Sequence, residues 1–390
     1  MADGRQGIRV PTQTYGTVGQ TSAQWTFGAA IPTDMAQMPG PYAAPTYNTG
    51  TISGYEGTTA AGGKHCLPPP NLFLGHGGGQ QPPQRTWNVP AITEDEAKEA
   101  FIQYASSKCC YSTDPAKEMV FNDLQLFNTY RYKLETFTES RSSEWKTEPY
   151  GGGAVDSYLR GTPPLPWDMR ADSPGMFREK TQRIRVPHTS ALTACPTCGS
   201  TGRRYCNKCN GNSKQQCGRC HGRGVRFVDE TCDQCMGSGL ENCQVCSGMG
   251  KTVCNDCAGK GQLLSFIELQ VEWKNNVYEY VADERSGFPI ELFKTVTGET
   301  LFVDDSPMVY PVISFPDFGV SQASSYAVEQ HQTQFASTRR ILRQRQTIEL
   351  ILLTRVQYLW HGKPYSFYVY GKERKVHAED YPQKCCCTIL

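Results

Sequence analysis

Six C-x-x-C pairs between residues 195 and 257 carry the clearest chemistry in this sequence. The two thiolates of one pair can bind a zinc ion at about 2.3 Å each, and two pairs complete a tetrahedral four-cysteine site. The pattern therefore predicts three structural Zn²⁺ ions. The predicted ligands are Cys195, Cys198, Cys206, Cys209, Cys217, Cys220, Cys232, Cys235, Cys243, Cys246, Cys254 and Cys257.

The spacing of the pairs suggests how they combine. Their first cysteines are separated by 11, 11, 15, 11 and 11 residues, a palindrome with its longest step in the centre. This symmetry favours a nested antiparallel hairpin in which the third pair meets the fourth, the second meets the fifth and the first meets the sixth. The alternative joins neighbouring pairs along the sequence and leaves the palindrome unused.

Glycines follow the second cysteine of most pairs in the pattern C-x-x-C-x-G-x-G. Glycine permits the positive φ that turns backbone amides toward the sulfurs. Two positions depart from the pattern, because Ser200 replaces the first glycine after Cys198 and Ser213 replaces the second after Cys209. We expect less secure geometry there.

Composition points away from several classes of protein. The 390 residues carry a net charge of +1 at pH 7, which selects neither a nucleic acid nor an acidic partner. The sequence contains no apolar run of about 18 residues that would span a membrane, and no N-terminal secretory signal. We therefore expect a cytoplasmic protein. Its 18 cysteines indicate metal binding, because cytosolic thiols stay reduced.

The sequence contains no recognisable catalytic signature. A catalytic zinc keeps one coordination position open, whereas this chain offers four cysteines to every site. No Ser/His/Asp, phosphate-loop or dinucleotide-binding pattern occurs, and His221 is interpreted as a surface residue. We predict a protein that is not an enzyme and has no small-molecule substrate.

Hydrophobic periodicity predicts an α+β fold, with a β-rich body that contains two or three helices and receives the cysteine block as an insertion. The predicted segments are a disordered Gly- and Pro-rich tail (1–90), the first part of the body (91–190), the cysteine-rich zinc domain (191–262), the second part of the body (263–382) and a lipidation tail (383–390). The predicted elements are a helix over 93–107, strand or hairpin structure within 119–141, a strand over 182–188, a hairpin over 263–283 that turns at Lys274–Asn276, a helix over 321–345, and strands over 347–360 and 365–371 joined by the turn "HGKP".

The cysteine block resembles the cysteine-rich zinc domain of DnaJ-type co-chaperones. Its six-repeat form, with "VPHTSALTACPTCGSTGR" before it and "LLSFIELQVEWKN" after it, is similar to the Ssu-two homologue family. The resemblance implies an elongated zinc hairpin and an adaptor or chaperone-like role toward protein partners or unfolded clients. The chain lacks a His-Pro-Asp tripeptide, so the J-domain function of stimulating a heat-shock ATPase is not expected.

The C-terminal sequence "KCCCTIL" predicts lipidation. Cys387 matches the C-a-a-X prenylation pattern, and leucine at the last position favours geranylgeranyl. Cys385 and Cys386 are candidate palmitoylation sites that would supply a second membrane signal. We expect a peripheral position on a cytosolic membrane face, or the soluble cytosol or nucleus if the tail is unmodified.

Two alternative functions compete with this interpretation. A thiol–disulfide oxidoreductase would use "CGRC" at 217–220, although the surrounding pattern is not thioredoxin-like. A nucleic-acid-binding protein would use a basic stripe at helical spacing, which a near-neutral chain makes the weaker alternative. The stripe consists of Arg339, Arg340, Arg343 and Arg345.

Overall fold

A computed structural model of the chain describes residues 52–60, 63–70, 80–83, 92–227, 230–283 and 286–384. Within these ranges the protein is rich in β-strands and has few helices, which confirms the α+β class. The strands are β1 Lys64–Cys66, β2 Val120–Pro149, β3 Lys180–Arg185, β4 Ala191–Ala194, β5 Arg203–Tyr205, β6 Lys214–Gln216, β7 Leu240–Asn242, β8 Lys251–Val253, β9 Gln262–Ala282, β10 Glu299–Ser306, β11 Arg340–Trp360, β12 Lys363–Tyr370 and β13 Lys375–His377. The α-helices are α1 Glu94–Ser106, α2 Asp114–Glu118 and α3 Phe318–Phe335, and 3₁₀ turns occupy Tyr158–Arg160 and Ile290–Thr295.

Three long antiparallel strands form the centre of the main sheet. The strand order is β13-β12-β11-β2-β9-β3, and β1, β4 and β10 pair with β2, β9 and β11 respectively. Side chains on β2 alternate between the two faces, and Tyr132 and Leu134 are buried in a cluster with residues of β11 and α3. The long strands therefore provide the platform on which the helices pack.

Helix α1 confirms the helix predicted over 93–107. The Thr93 hydroxyl accepts a hydrogen bond from the Glu96 backbone at 3.2 Å, and the Glu96 carboxylate accepts one from the Thr93 backbone at 3.0 Å. These two bonds form a capping box that satisfies N–H groups at the start of the helix. The buried ring of Phe101 stacks on Phe367 of β12 at 4.0 Å and so fixes α1 to the sheet.

Strand β9 shows that the hairpin predicted at Lys274–Asn276 is wrong. The chain runs straight through these residues, with Asn276 opposite Thr136 of β2. The amide of Asn276 donates to the Thr136 carbonyl at 3.1 Å, and that of Asn275 donates to the Glu135 carboxylate at 3.0 Å. The two asparagines, which resemble turn residues in the sequence, bond across the sheet instead.

The helix predicted over 321–345 is correct only in part. Helix α3 ends at Phe335, and the chain enters β11 at Arg340. From there β11 pairs with both β2 and β10, and Ile341 and Ile348 are buried. Sheet pairing overrides the helical appearance of this segment.

The "HGKP" prediction is confirmed, because β11 and β12 form a hairpin that turns at His361 and Gly362 with positive φ.

The disordered tail predicted over 1–90 is wrong for the described residues near its end. Strand β1 pairs with β2, with Lys64 opposite Ser143. Tyr55 is 1% exposed, and its hydroxyl donates to the Pro164 carbonyl at 3.0 Å. Burial of one aromatic ring and one strand is sufficient to order a segment whose overall composition is polar. Most of the rest of the predicted tail lies outside the described residues.

The cysteine block is inserted between β4 and β9. These two strands pair with each other, with Ala194 opposite Gln262, so the chain returns to the sheet where it left.

None of the helices in the described ranges combines the length and the apolar character needed to cross a membrane.

Candidate metal centres

The structure brings the twelve cysteines together as three groups of four, in the nested order that the palindrome favours. We call them the base, middle and tip centres. The base centre consists of Cys195, Cys198, Cys254 and Cys257, the middle centre of Cys206, Cys209, Cys243 and Cys246, and the tip centre of Cys217, Cys220, Cys232 and Cys235.

Short antiparallel strand pairs separate the centres. Strands β5 and β8 pair between the base and middle centres, and β6 and β7 pair between the middle and tip centres. Beyond the tip centre, Val225 and Thr231 form an antiparallel bridge. Each strand pair fixes the register of the hairpin, so that each C-x-x-C pair meets its partner.

The sulfur separations match a tetrahedral thiolate site. A tetrahedron with four metal–sulfur bonds of about 2.3 Å has edges of about 3.8 Å. The closest sulfurs of partner pairs lie 3.7 and 3.8 Å apart in the base and middle centres, and 3.6 and 3.9 Å apart in the tip centre. All four sulfurs of a centre lie within 4.8 Å of one another. These distances are far longer than the ~2.05 Å of a disulfide bond.

Five of the six turns aim a backbone N–H at the sulfur of the second cysteine of a pair. The amides of Gly224 and Gly239 donate to Cys220 and Cys235 in the tip centre, each at 3.3 Å. Equivalent bonds of 3.2 to 3.3 Å reach Cys198, Cys246 and Cys257. Such bonds stabilise thiolate over thiol.

The two serines that replace glycines keep the geometry of the turns. Ser200 and Ser213 adopt φ angles of 67° and 66°, close to those of the glycines at equivalent positions. Both residues enter the left-handed region at the energetic cost that a side chain carries there. Both serines therefore keep the left-handed backbone conformation of the glycines that they replace.

The second glycine of a turn packs directly on the partner turn. A Cβ atom at Gly224 would lie 2.4 Å from the Gly237 carbonyl oxygen, and one at Gly261 would lie 2.1 Å from the Ser200 carbonyl oxygen. Two reciprocal backbone bonds tie each pair of turns, such as those from Cys217 to Gly239 and from Cys232 to Gly224. In the base and tip centres glycine lets the two turns approach closely enough to complete one site, whereas Ser213 takes the equivalent position in one turn of the middle centre.

The acidities of the sulfurs differ within a centre. In the middle centre the backbone N–H of Cys209 lowers the pKa of Cys206 to about 7. In the tip centre burial raises the pKa of Cys235 to about 11. At Cys220 burial also acts to raise the pKa, but the Gly224 N–H and the neighbouring thiols outweigh it and lower the pKa to about 7. Four sulfurs this close can all be thiolates only if a cation compensates their charge.

Cross-turn contacts on the surface are a feature that the sequence analysis missed. Arg219 donates to Asp233 at 2.8 Å across the tip centre. The hydroxyl of Thr197 donates to Asp256 across the base centre. Both contacts could have been predicted from the sequence. Each joins two residues that lie between the first and second cysteine of partner C-x-x-C pairs. His221 belongs to none of the three cysteine groups.

The four arginines of the predicted basic stripe do not lie on a helix. Arg339 precedes β11 and the other three arginines lie on that strand, where carboxylates accompany several of them. Arg345 donates to Glu135 at 2.7 Å, Arg343 pairs with Asp305, and Arg339 lies 3.7 Å from Glu272. The prediction that these arginines form a stripe on a helix, on which the nucleic-acid alternative depends, is therefore wrong.

The predicted lipidation residues Cys385, Cys386 and Cys387 lie outside the described residues, and their modification stays a prediction.

Three curated proteins are similar to this chain along much of its length. A Danio rerio protein named SSUH2 homolog is 50% identical over 366 residues, which cover 94% of this chain and 98% of that protein. The protein of the same name from Homo sapiens is 47% identical over 317 residues, covering 79% and 84%. That from Mus musculus is 44% identical over 257 residues, covering 66% and 76%. No protein-family model matches the chain.

Proposed function

The chain belongs to the SSUH2 homolog family, as its sequence resemblance predicts, and from that premise we propose that it is a zinc-binding, non-enzymatic adaptor. In this proposal the cysteine hairpin binds protein partners or unfolded clients, and a prenylated Cys387 tethers the molecule to a cytosolic membrane face.

The observation that carries the proposal is the convergence of twelve cysteines into three groups of four, with the sulfurs of each group within 4.8 Å of one another. Zinc suits such a donor set, because it accepts four thiolates without a geometric preference of its own. Four protein ligands leave no open coordination position, which supports a structural and not a catalytic metal. We therefore assign the hairpin the role of a rigid binding element.

Exposed apolar side chains on the hairpin support a protein-binding role. Phe227 is 72% exposed and Met236 is 88% exposed, and Tyr205 and Met249 also face solvent. Aromatic residues and methionine are enriched at protein interfaces, and methionine adapts to partners of varied shape. A metal-held hairpin that displays such residues is suited to bind apolar segments of other proteins.

The tail supports the membrane part of the proposal through its C-a-a-X sequence. A single prenyl group gives only marginal binding, so a second signal is needed for a stable position on the membrane.

A client-binding assay tests the proposal. The full zinc-loaded chain is expected to delay aggregation of a chemically denatured model protein, and the double variant Phe227→Ser/Met236→Ser is expected to lose most of that effect. The matched control is Tyr158→Ser/Leu159→Ser, which removes equally exposed apolar side chains outside the hairpin. Equal activity of both variants and the natural chain would contradict the binding role of the hairpin.

The tether is tested separately in cells. The Cys387→Ser variant is expected to move from the membrane fraction to the soluble fraction and to lose label from an alkyne analogue of geranylgeraniol. A natural chain without the geranylgeraniol label would contradict the proposed tether. The adaptor role would then be tested by the client-binding assay alone.

A further inference from the structure

Two adjacent cysteines lie in the loop that follows α1, away from the metal centres. Cys109 is exposed and Cys110 is half-buried. Their sulfurs are 3.5 Å apart, far beyond a disulfide bond length. Neither belongs to a group of residues that could hold a metal ion in the described part of the chain. The role of this pair is therefore separate from zinc binding.

The end of the described chain is fixed beside this pair. Lys384 forms an antiparallel bridge with Tyr111, and the Ser112 amide donates to the Gln383 carbonyl at 3.3 Å. The ring of Tyr111 stacks on Tyr381 at 4.4 Å with an interplanar angle of 12°. The Tyr381 hydroxyl donates to the Ser112 carbonyl. Two aromatic rings and the backbone contacts thus determine the position of Lys384, the last described residue.

The bridge at Lys384 limits how far Cys387 can lie from the paired thiols. Cys387 lies three residues beyond Lys384, a distance of at most about 11 Å along an extended chain. Bridged strands add about 5 Å between Cα atoms, and Cys110 is the residue before the bridged Tyr111. A membrane-inserted lipid on Cys387 would hold Cys110 within about 20 Å of it.

We propose that Cys109 and Cys110 are S-acylation sites, which receive long-chain fatty acyl groups and provide the second membrane anchor. The proposal rests on the prenylated tail of the proposed function, because that tail brings the pair to the membrane surface. The fatty acyl group comes from a fatty acyl-coenzyme A. The cysteine sulfur forms a bond to the acyl carbonyl carbon, the coenzyme A sulfur leaves, and the proton of the cysteine thiol passes to it. No electron transfer is involved.

Accessibility separates this pair from the other described cysteines. Cys66 is buried, where burial raises the pKa of its thiol. The twelve cysteines of the metal centres are directed at one another, and all but Cys198 are buried. Cys109 is exposed and Cys110 adjoins it, so an acyltransferase can reach this loop without unfolding the protein. Two lipids on the same face would convert marginal membrane binding into stable binding.

The test labels the full chain in cultured animal cells with an alkyne analogue of palmitate and maps hydroxylamine-sensitive adducts by peptide mass spectrometry. We expect adducts on peptides that contain Cys109 and Cys110. Label is expected to persist in Cys385→Ser/Cys386→Ser and to disappear when Cys109→Ser/Cys110→Ser is added to that variant. In the Cys385→Ser/Cys386→Ser background, Cys109→Ser/Cys110→Ser is expected to lower the membrane-bound fraction about tenfold or more. Cys66→Ser is the matched control and is expected to keep the label.

Parallel labelling with alkyne geranylgeraniol distinguishes the possible failures. A prenylated chain without adducts on Cys109 or Cys110 would overturn the acylation proposal and leave the tether intact. Acylation of these residues in an unprenylated chain would support the modification site and contradict the tether. Absence of both lipids would overturn both. Mapping on the natural chain makes these results independent of how the variants fold.

Discussion

At the scale of single residues, the glycines of the hairpin turns make a sharp prediction. Gly224 has a φ of +76°, and an added Cβ would lie 2.4 Å from the Gly237 carbonyl oxygen, so the backbone of the partner turn would have to shift. We expect Gly224→Ala to weaken zinc binding at the tip centre by about 2 kcal/mol, or roughly 30-fold, because it adds strain and a clash. Competition with a chelator on the full chain measures this change.

Gly199→Ala is the matched control for that substitution. Gly199 also has positive φ, but nothing lies within 4 Å of an added Cβ there. Ala258 occupies the equivalent position in another turn with a φ of 48°, so the geometry accepts alanine. Equal losses in both variants would contradict the close approach of the turns as the decisive factor.

The burial of His331 predicts how the stability of the β-rich body changes at acidic pH. The ring is 5% exposed and its Nδ1 lies 2.8 Å from the Thr136 hydroxyl. Burial lowers the pKa of His331, so the folded state binds fewer protons than the unfolded state as the pH falls. Its contribution to stability is full above the unfolded pKa of about 6.5 and is lost progressively below it.

We therefore expect His331→Gln to reduce the loss of stability between pH 7.5 and pH 5.5. Denaturant unfolding, followed through tryptophan fluorescence, measures the free energy of unfolding at each pH. The metal centres are the same in both proteins, so the difference between their pH profiles isolates His331. Parallel profiles would contradict the burial argument.

At the scale of elements, the hairpin has little core besides its ligands. The clusters of buried apolar residues described there consist almost entirely of cysteines. In the proposed zinc-bound protein, metal binding therefore supplies most of the folding free energy of this insertion. The body has separate clusters beneath α1 and α3, and these do not depend on the centres.

Metal removal should consequently unfold the hairpin alone. We expect a strong chelator to accelerate amide exchange between residues 195 and 261 and to leave the central strands β2 and β9 protected. All six tryptophans lie outside the hairpin, so the fluorescence of the buried Trp273 should change little. Loss of protection across the whole sheet would show that the centres stabilise the body as well.

Predictability from the sequence also differs between elements. The pairing of the cysteines was predictable, because it depends on spacing alone, and the capping box at Thr93 was predictable because it is local. The path of β9 was not, since Asn275 and Asn276 find their partners on β2, more than 130 residues away. The start of β11 was not predictable either, because its pairing with β2 on one side and β10 on the other determines its conformation.

At the scale of the whole molecule, Arg141 belongs to a buried ion pair within β2 and also joins this strand to the connection that precedes the hairpin. Arg141 contacts the Glu139 carboxylate at 2.6 Å and donates to the carbonyls of Pro166 and Met169 at 2.6 and 2.8 Å. Its guanidinium also lies 4.8 Å from the centre of the Trp167 ring. Sequence patterns indicate none of these contacts, because they depend on the completed fold.

We expect Arg141→Met to lower the free energy of unfolding of the body by about 3–5 kcal/mol, because it leaves Glu139 charged, buried and without its partner. The double variant Glu139→Leu/Arg141→Met should recover part of that loss, since no unpaired charge remains. Denaturant unfolding of the three proteins measures the coupling. A double variant less stable than Arg141→Met would contradict the desolvation argument.

The metal content of the full chain tests the central claim most directly. Native mass spectrometry, with elemental analysis to identify the metal, is predicted to find three zinc ions per chain. The Cys217→Ser/Cys220→Ser variant should lose one ion, and Cys109→Ser/Cys110→Ser should lose none. Fewer than three ions in the natural chain, with disulfides within the C-x-x-C pairs, would contradict the zinc account and favour thiol–disulfide chemistry.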